Sequence, residues 1–329
     1  MGSSSVDIPT ARGDVVSSAD LGPTLMHEHV FLCDHEVNIS WPDTLGDMDG
    51  HVAAAVEQLN ALAATGVRTI TDVTAIGHGR DIARVARVAR EVDLNILVAT
   101  GIYVLTELPT YFRLFGPGSF IEAPEAMTDY FVRDIEEGIG STGVRASILK
   151  VATGHAGLTN DVLRCLRSVA AAHRRTGVPI TTHTSIPQNG RDQQRILAEE
   201  GVDLSRVVIG HVDSTADGDL GYVEELLEKG SYVGFDSFSL PLVDLDTKVD
   251  LMAKLIARGH GDKIVVSHDH ACHVDFMPAE YQGDFYRKTY FADVVGPMLL
   301  EAGVTESGLR ALTVDNPRAV FETTARGAY

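Results

Sequence analysis

The sequence predicts a (β/α)₈ barrel, and three observations carry that prediction. Eight short apolar runs rich in β-branched residues recur along the 329 residues. Segments with helical apolar spacing lie between them. Several of those segments close on a glycine just before the next run. Strands alternating with helices favour a parallel sheet, and eight such repeats in this length favour closure over an open, doubly wound sheet.

The strands are read in order at 24–30 (TLMHEHV), 68–74 (RTITDVT), 95–103 (NILVATGIY), 146–152 (ASILKVA), 179–184 (PITTHT), 207–212 (VVIGHV), 232–237 (YVGFDS) and 263–269 (KIVVSHD). The helical spacing is clearest at 51–64, 79–92, 159–176, 190–200, 219–229 and 246–259. Gly66, Gly177, Gly201, Gly230 and Gly259 hold the stop position past a helix end. No GxGxxG or GxxxxGK[ST] follows any strand, which argues against a dinucleotide or nucleotide site.

Barrels of this kind fill such a length as one domain, so a single domain is expected over 1–329, with residues 1–10 a disordered leader. A formal charge of −19 and a pI near 5.0 argue against a nucleic-acid surface and leave no basic patch for anionic membrane. No run of 18 apolar residues exists, and the N-terminal stretch lacks the pattern of a secretory signal. Cys33, Cys165 and Cys272 have no CxxC spacing, so neither a disulfide framework nor a structural zinc site is expected, and a reducing cytoplasm fits.

The chemistry gathers at the strand ends, where barrel enzymes place their sites. On strand 1, alternation puts His27 and His29 on one face and Glu28 on the other. One histidine at a strand end is ordinary packing. A pair at i and i+2, with His183 and His211 closing strands 5 and 6, is much harder to explain that way. Four histidines and Asp269 suit zinc, manganese, cobalt or iron, and ligand type does not choose among them.

Two cations about 3.5–4 Å apart would need a bridging ligand. Lys150, on strand 4, is the candidate, although an ammonium has no lone pair. Its pKa must fall from about 10.4 before the neutral amine can take up CO₂ and become a carbamate with one oxygen for each cation. A salt bridge or a Schiff-base nucleophile are the other readings of that lysine. Asp269, ending strand 8, could ligate one cation and accept the proton of a bridging water whose pKa falls from about 15.7 toward 7. His268 and His270 should point away from the barrel axis.

The opening DLGPTLMHEHVF, with ILK on strand 4, TTH on strand 5, IGH on strand 6 and VSHD on strand 8, resembles the phosphotriesterase-like lactonases of the amidohydrolase superfamily. The resemblance runs from Arg12 to the NPRAVFE segment at 316–322. It implies a binuclear centre, with His27, His29 and Asp269 on the more buried ion and His183 and His211 on the more exposed one. Lys150, carboxylated on its side-chain nitrogen, would bridge the two. The implied reaction is attack by a bridging hydroxide on a lactone or other ester bond, with organophosphate triesters as side substrates. A dedicated phosphotriesterase, or a hydrolase of another ester or a cyclic amide, is the alternative. A Schiff-base aldolase using Lys150 is a distant third that would leave four histidines without a role. The family also implies a homodimer.

Substrate positions resemble the family in part. Tyr103 matches a tyrosine that lies beside the exposed metal, whereas Leu105 stands where a second tyrosine is usual. After strand 7 the family reads Asp-Arg and this chain reads Asp236-Ser237, so Ser237 is expected to face the cavity and leave space there. The segment after strand 8, about 270–289, carries Phe276, Tyr281, Phe285 and Tyr286. These would either pack it onto the barrel or wall an apolar pocket for substrate.

Overall fold

A computed structural model describes residues 5–42, 46–277 and 287–322. Eight of its strands fall on the eight predicted runs: β1 (Thr24–Leu32), β2 (Thr69–Asp72), β3 (Asn95–Ile102), β4 (Ile148–Thr153), β5 (Ile180–Thr184), β6 (Val207–Ile209), β7 (Tyr232–Phe235) and β8 (Ile264–Val266). A ninth, β9 (Ala271–Val274), follows β8 after four residues. All nine form one parallel sheet in the order β8-β7-β6-β5-β4-β3-β2-β1-β9. The two ends of that order are neighbours in the chain, so the sheet curls round until its ends meet. The Asp269 amide donates to the His27 carbonyl at 3.0 Å across the seam, and the His29 amide donates to the His270 carbonyl at 3.0 Å.

The helices α1 (Met48–Ala64), α2 (Ile82–Ala89), α3 (Ala126–Glu136), α4 (Asn160–Thr176), α5 (Pro187–Glu199), α6 (Leu220–Glu228) and α7 (Leu245–Leu255) lie between successive strands. Asp47, Asp81, Thr159 and Asp219 cap four of them, each side chain accepting a backbone N–H of the first turn. Pro187 starts α5, where a missing N–H is tolerated. Helix α3 was not among the segments singled out by apolar spacing. Asp129, Arg133, Asp134 and Glu136 dilute the stripe, although Met127, Phe131, Val132 and Ile135 are buried.

The core has two layers set by strand alternation. Leu149 and Val151 face the helices, whereas Ile148 faces inward with Met26, Leu97, Ala99, Val208 and Val265. Lys150 shares the inward face with Ile148. Ile8, Leu21, Val320 and Phe321 join the inner layer at the N-terminal end of the strands and seal it. The leader expectation is thereby corrected. Asp7–Pro9 pairs antiparallel with Val15–Ser17, and Ile8 is buried because the inner layer needs a plug there. Residues 1–4 lie outside the described residues. Among the described residues no helix is long and apolar enough to cross a membrane.

Candidate metal centre

Strand β1 carries a register shift against β2 between Leu25 and Glu28. One extra residue there re-aims the chain, so that His27 and His29 face inward while Glu28 lies behind the sheet. At the other strand ends the backbone leaves the ladder. His211 (φ 60) and Asp269 (φ 58) both adopt a left-handed conformation that is uncommon outside glycine. This is why β6 stops at Ile209 and β8 at Val266, short of the predicted ends, and why strand 8 resumes only at Ala271. Strain of this kind persists where the surroundings over-determine it, and here it aims two side chains at one point.

All six predicted ligand residues converge. Asp269 Oδ1 lies 3.2 Å from His29 Nε2 and 3.5 Å from His27 Nε2, and its Oδ2 lies 3.9 Å from His211 Nδ1. Lys150 Nζ is 2.9 Å from His27 Nε2. The His211 ring centroid is 4.7 Å from that of His27 and 4.5 Å from that of His183. Tyr103 lies edge-on to His183 at 5.1 Å. His183 and Asp269 are partly open to solvent, whereas His27, His29, His211 and Lys150 are buried.

The donor set fits a divalent cation. Ligand atoms bound at about 2.0–2.2 Å to one ion stand roughly 3.0–3.5 Å apart, the separation found between Asp269 and both strand-1 histidines. Imidazole must also be neutral to ligate. Burial and the nearby Lys150 hold His27 at about 4, and burial beside His211 holds His183 well below its ordinary value. His211 is the exception: its burial is overridden by Asp236 and Asp269, which raise it. Burial brings Lys150 down to about 8 against the pull of Asp269 and Asp236. About a tenth of that amine is then neutral at pH 7, compared with well under about a thousandth for a free lysine. Asp269 stays ionised despite burial because His211, His27 and His29 surround it.

Four supporting residues escaped the sequence reading. Asp236 is buried between two of these histidines: its Oδ1 accepts from His211 Nδ1 at 2.7 Å, and its Oδ2 lies 3.1 Å from His27 Nδ1. Holding each Nδ1 leaves each Nε2 lone pair for a cation. Thr74 and Asp72 do the same for His29. Its Nδ1 is 2.7 Å from Thr74 Oγ1, whose hydroxyl donates to Asp72 at 2.6 Å. Behind the sheet, Lys288 Nζ binds Glu28 Oε2 at 2.8 Å and also donates to the carbonyls of His29 and His270. The inward-facing carboxylate of Asp236 was legible from alternation, since it follows the run YVGF; Lys288 carries no such local signal.

Ser237 corrects an expectation. Alternation gives the inward place to Asp236, so Ser237 turns to the other side, is fully buried, and bonds Asp213 Oδ1 at 2.8 Å and Ser214 Oγ at 2.5 Å. Its hydroxyl is taken up by these bonds, away from the histidine cluster, and its carbonyl accepts from buried Lys248 at 2.6 Å. Phe276 stands 66% exposed, with no described contact to the cluster. Tyr281, Phe285 and Tyr286 lie outside the described residues. His268 and His270 do point off the axis: His268 Nδ1 is 2.9 Å from Glu28, and His270 stacks on His268 at 5.1 Å.

The chain is similar to known proteins along nearly its whole length. A model of the phosphotriesterase family matches residues 6–321. A phosphotriesterase homology protein of Mycobacterium tuberculosis is 50% identical, with 98% of this chain and 99% of the relative covered. An aryldialkylphosphatase of Saccharolobus solfataricus is 35% identical, covering 95% of this chain and 99% of that protein. The solved structure of the phosphotriesterase from Mycobacterium tuberculosis superposes with a TM-score of 0.93 at 48% identity, over 98% of this chain and 99% of that one.

Proposed function

The chain belongs to the phosphotriesterase family, and from that premise we propose that it is a metal-dependent hydrolase of lactones or related esters, with organophosphate triesters as side substrates. The observation that carries this reading is the approach of Asp269 to His27, His29 and His211 beside the buried amine of Lys150. In this reading His27, His29 and Asp269 would hold the more buried of two divalent cations, and His183 and His211 the more exposed one. Lys150, carboxylated on its side-chain nitrogen, would complete the set. Zinc suits the set, as do manganese, cobalt and iron.

When bound, the cations lower the pKa of water from about 15.7 toward 7 and polarise the scissile bond. The chain's own side chains do the rest. Asp236, Thr74 and Asp72 fix the imidazoles in the ligating tautomer. Asp269 accepts a proton at its carboxylate. Tyr103, beside His183, contacts the substrate. The curled sheet is read as a closed eight-stranded barrel in which β8 and β9 are one interrupted strand, and the chain as one domain working in a homodimer in the cytoplasm. The name of the 35% identical aryldialkylphosphatase favours one second reading, a dedicated phosphotriesterase.

A hydrolysis screen of metal-reconstituted protein separates the two. It spans lactones of graded ring and chain size, aryl phosphotriesters, carboxylic esters and cyclic amides. The expected result is the highest kcat/KM on a lactone, abolished by chelation and restored by zinc, manganese or cobalt. Phosphotriesters in first place would favour the second reading, and turnover that survives chelation would overturn both.

A further inference from the structure

We propose that His78 is a specificity-determining residue, giving a hydrogen bond to a polar group, such as an amide or hydroxyl, carried by the substrate beside its scissile bond. The inference rests on the hydrolase reading above, and it begins with the turn that presents His78. In the sequence AIGHGRD the histidine lies between two glycines, both with positive φ, Gly77 (φ 86) and Gly79 (φ 75). A Cβ on Gly77 would meet the Tyr103 carbonyl oxygen, and one on Gly79 would meet the backbone of Cys33. The turn is therefore pressed between the ends of β1 and β3, and only glycine fits at either side. The backbone that carries His78 is thereby held in place.

Its ring lies stacked on Tyr103, with centroids 4.1 Å apart and planes 11° from parallel. It also meets His29 edge-on at 5.0 Å. One neighbour is the tyrosine assigned to substrate and the other is a metal-ligand candidate, so the imidazole forms part of the wall of the same site. Its Nδ1 is buried and makes no hydrogen bond. The Tyr103 hydroxyl likewise has no partner among the described residues. Buried polar atoms are nearly always paired, so the orphaned Nδ1, on a ring stacked against a part-buried tyrosine, marks a place where a ligand completes the bonding. A ring nitrogen beside a hydroxyl, which both donates and accepts, matches a small group with donor and acceptor side by side. A wholly hydrocarbon substituent would leave the buried Nδ1 unpaired, and a site built this way discriminates against it.

The test compares a matched pair of lactones, one with an acylamino substituent next to the scissile carbonyl and one with an alkyl substituent of similar length. His78→Phe keeps the aromatic stack and removes the nitrogens, whereas His78→Asn keeps a polar atom near Nδ1. The parent should favour the acylamino lactone. In His78→Phe that preference should shrink by about tenfold, the worth of one hydrogen bond, mainly through KM, and His78→Asn should recover part of it. Elemental analysis should give the same metal content in all three proteins. Calorimetric titration with the ring-opened acylamino acid should show a Kd weakened by a similar factor in His78→Phe. An unchanged preference and unchanged Kd in that variant would overturn the proposal. Loss of metal from it would also do so, by making His78 a brace for the cluster. If the parent opened no lactone, the hydrolase reading would fail on its own, while an equal Kd in parent and variant would still count against His78.

Discussion

Asp269→Asn will lower kcat about 10²–10⁴-fold, the span that a positioned general base contributes. The substitution isolates the chemistry. Asparagine has the same shape, and it tolerates the left-handed conformation that Asp269 adopts (φ 58) at least as well as aspartate does. The backbone that aims this side chain is therefore preserved. One amide oxygen can still face His27 and His29, where the carboxylate oxygen lies at 3.5 and 3.2 Å. The amide cannot accept a proton at neutral pH. Steady-state kinetics on variant protein of measured metal content check this, and full turnover by a metal-loaded Asn variant would remove Asp269 from the chemistry.

Glu28→Ala will destabilise the fold by about 3–5 kcal/mol, the range for removing one partner of a buried ion pair. Glu28 is fully buried and accepts four hydrogen bonds: from Ser267 Oγ at 2.8 Å, from the His268 amide at 2.8 Å, from His268 Nδ1 at 2.9 Å and from Lys288 Nζ at 2.8 Å. Removing the carboxylate leaves the Lys288 ammonium buried without a counter-charge. Because Lys288 also holds the carbonyls of His29 and His270, the loss reaches the backbone on both sides of the Asp269–His29 approach. Urea denaturation measures the effect. Glu28→Leu combined with Lys288→Met, which removes both charges, should recover much of the stability. The pH dependence has a definite sign. Burial opposes the Glu28 charge, but Lys288 and His268 hold its pKa well below the ordinary 4.5. The stabilisation is therefore fully present above about pH 4.5 and declines as pH falls toward the lowered folded value. Parent protein should lose stability across that acid range more steeply than Glu28→Ala. A Glu28→Ala loss below about 1 kcal/mol would mean that the pair contributes little.

The strands and the six convergent residues were legible because both are local signals. A β-branched run ending in a metal-competent side chain states its own face and its own end, and HEH adds a pair that alternation resolves. The failures share a cause as well. Along β7 the same alternation gives the inward place to Asp236 and turns Ser237 toward Asp213, so a position matched by family pattern alone lands on the wrong face. The break in strand 8 comes from the left-handed turn at Asp269, which no propensity announces. His78 sits in a glycine-flanked turn and Lys288 comes 260 residues after its partner, so their roles depend on tertiary contacts that sequence spacing does not encode.

The central claim is that these residues hold a pair of cations bridged by a modified lysine, and metal stoichiometry tests it most directly. Elemental analysis of the parent, purified without chelator, should give two divalent ions per chain. In Lys150→Ala the count should fall, and acetate or propionate should restore part of it by replacing the carbamate. Active parent protein holding one ion or none, or a Lys150→Ala variant that keeps both without added carboxylate, would contradict the account.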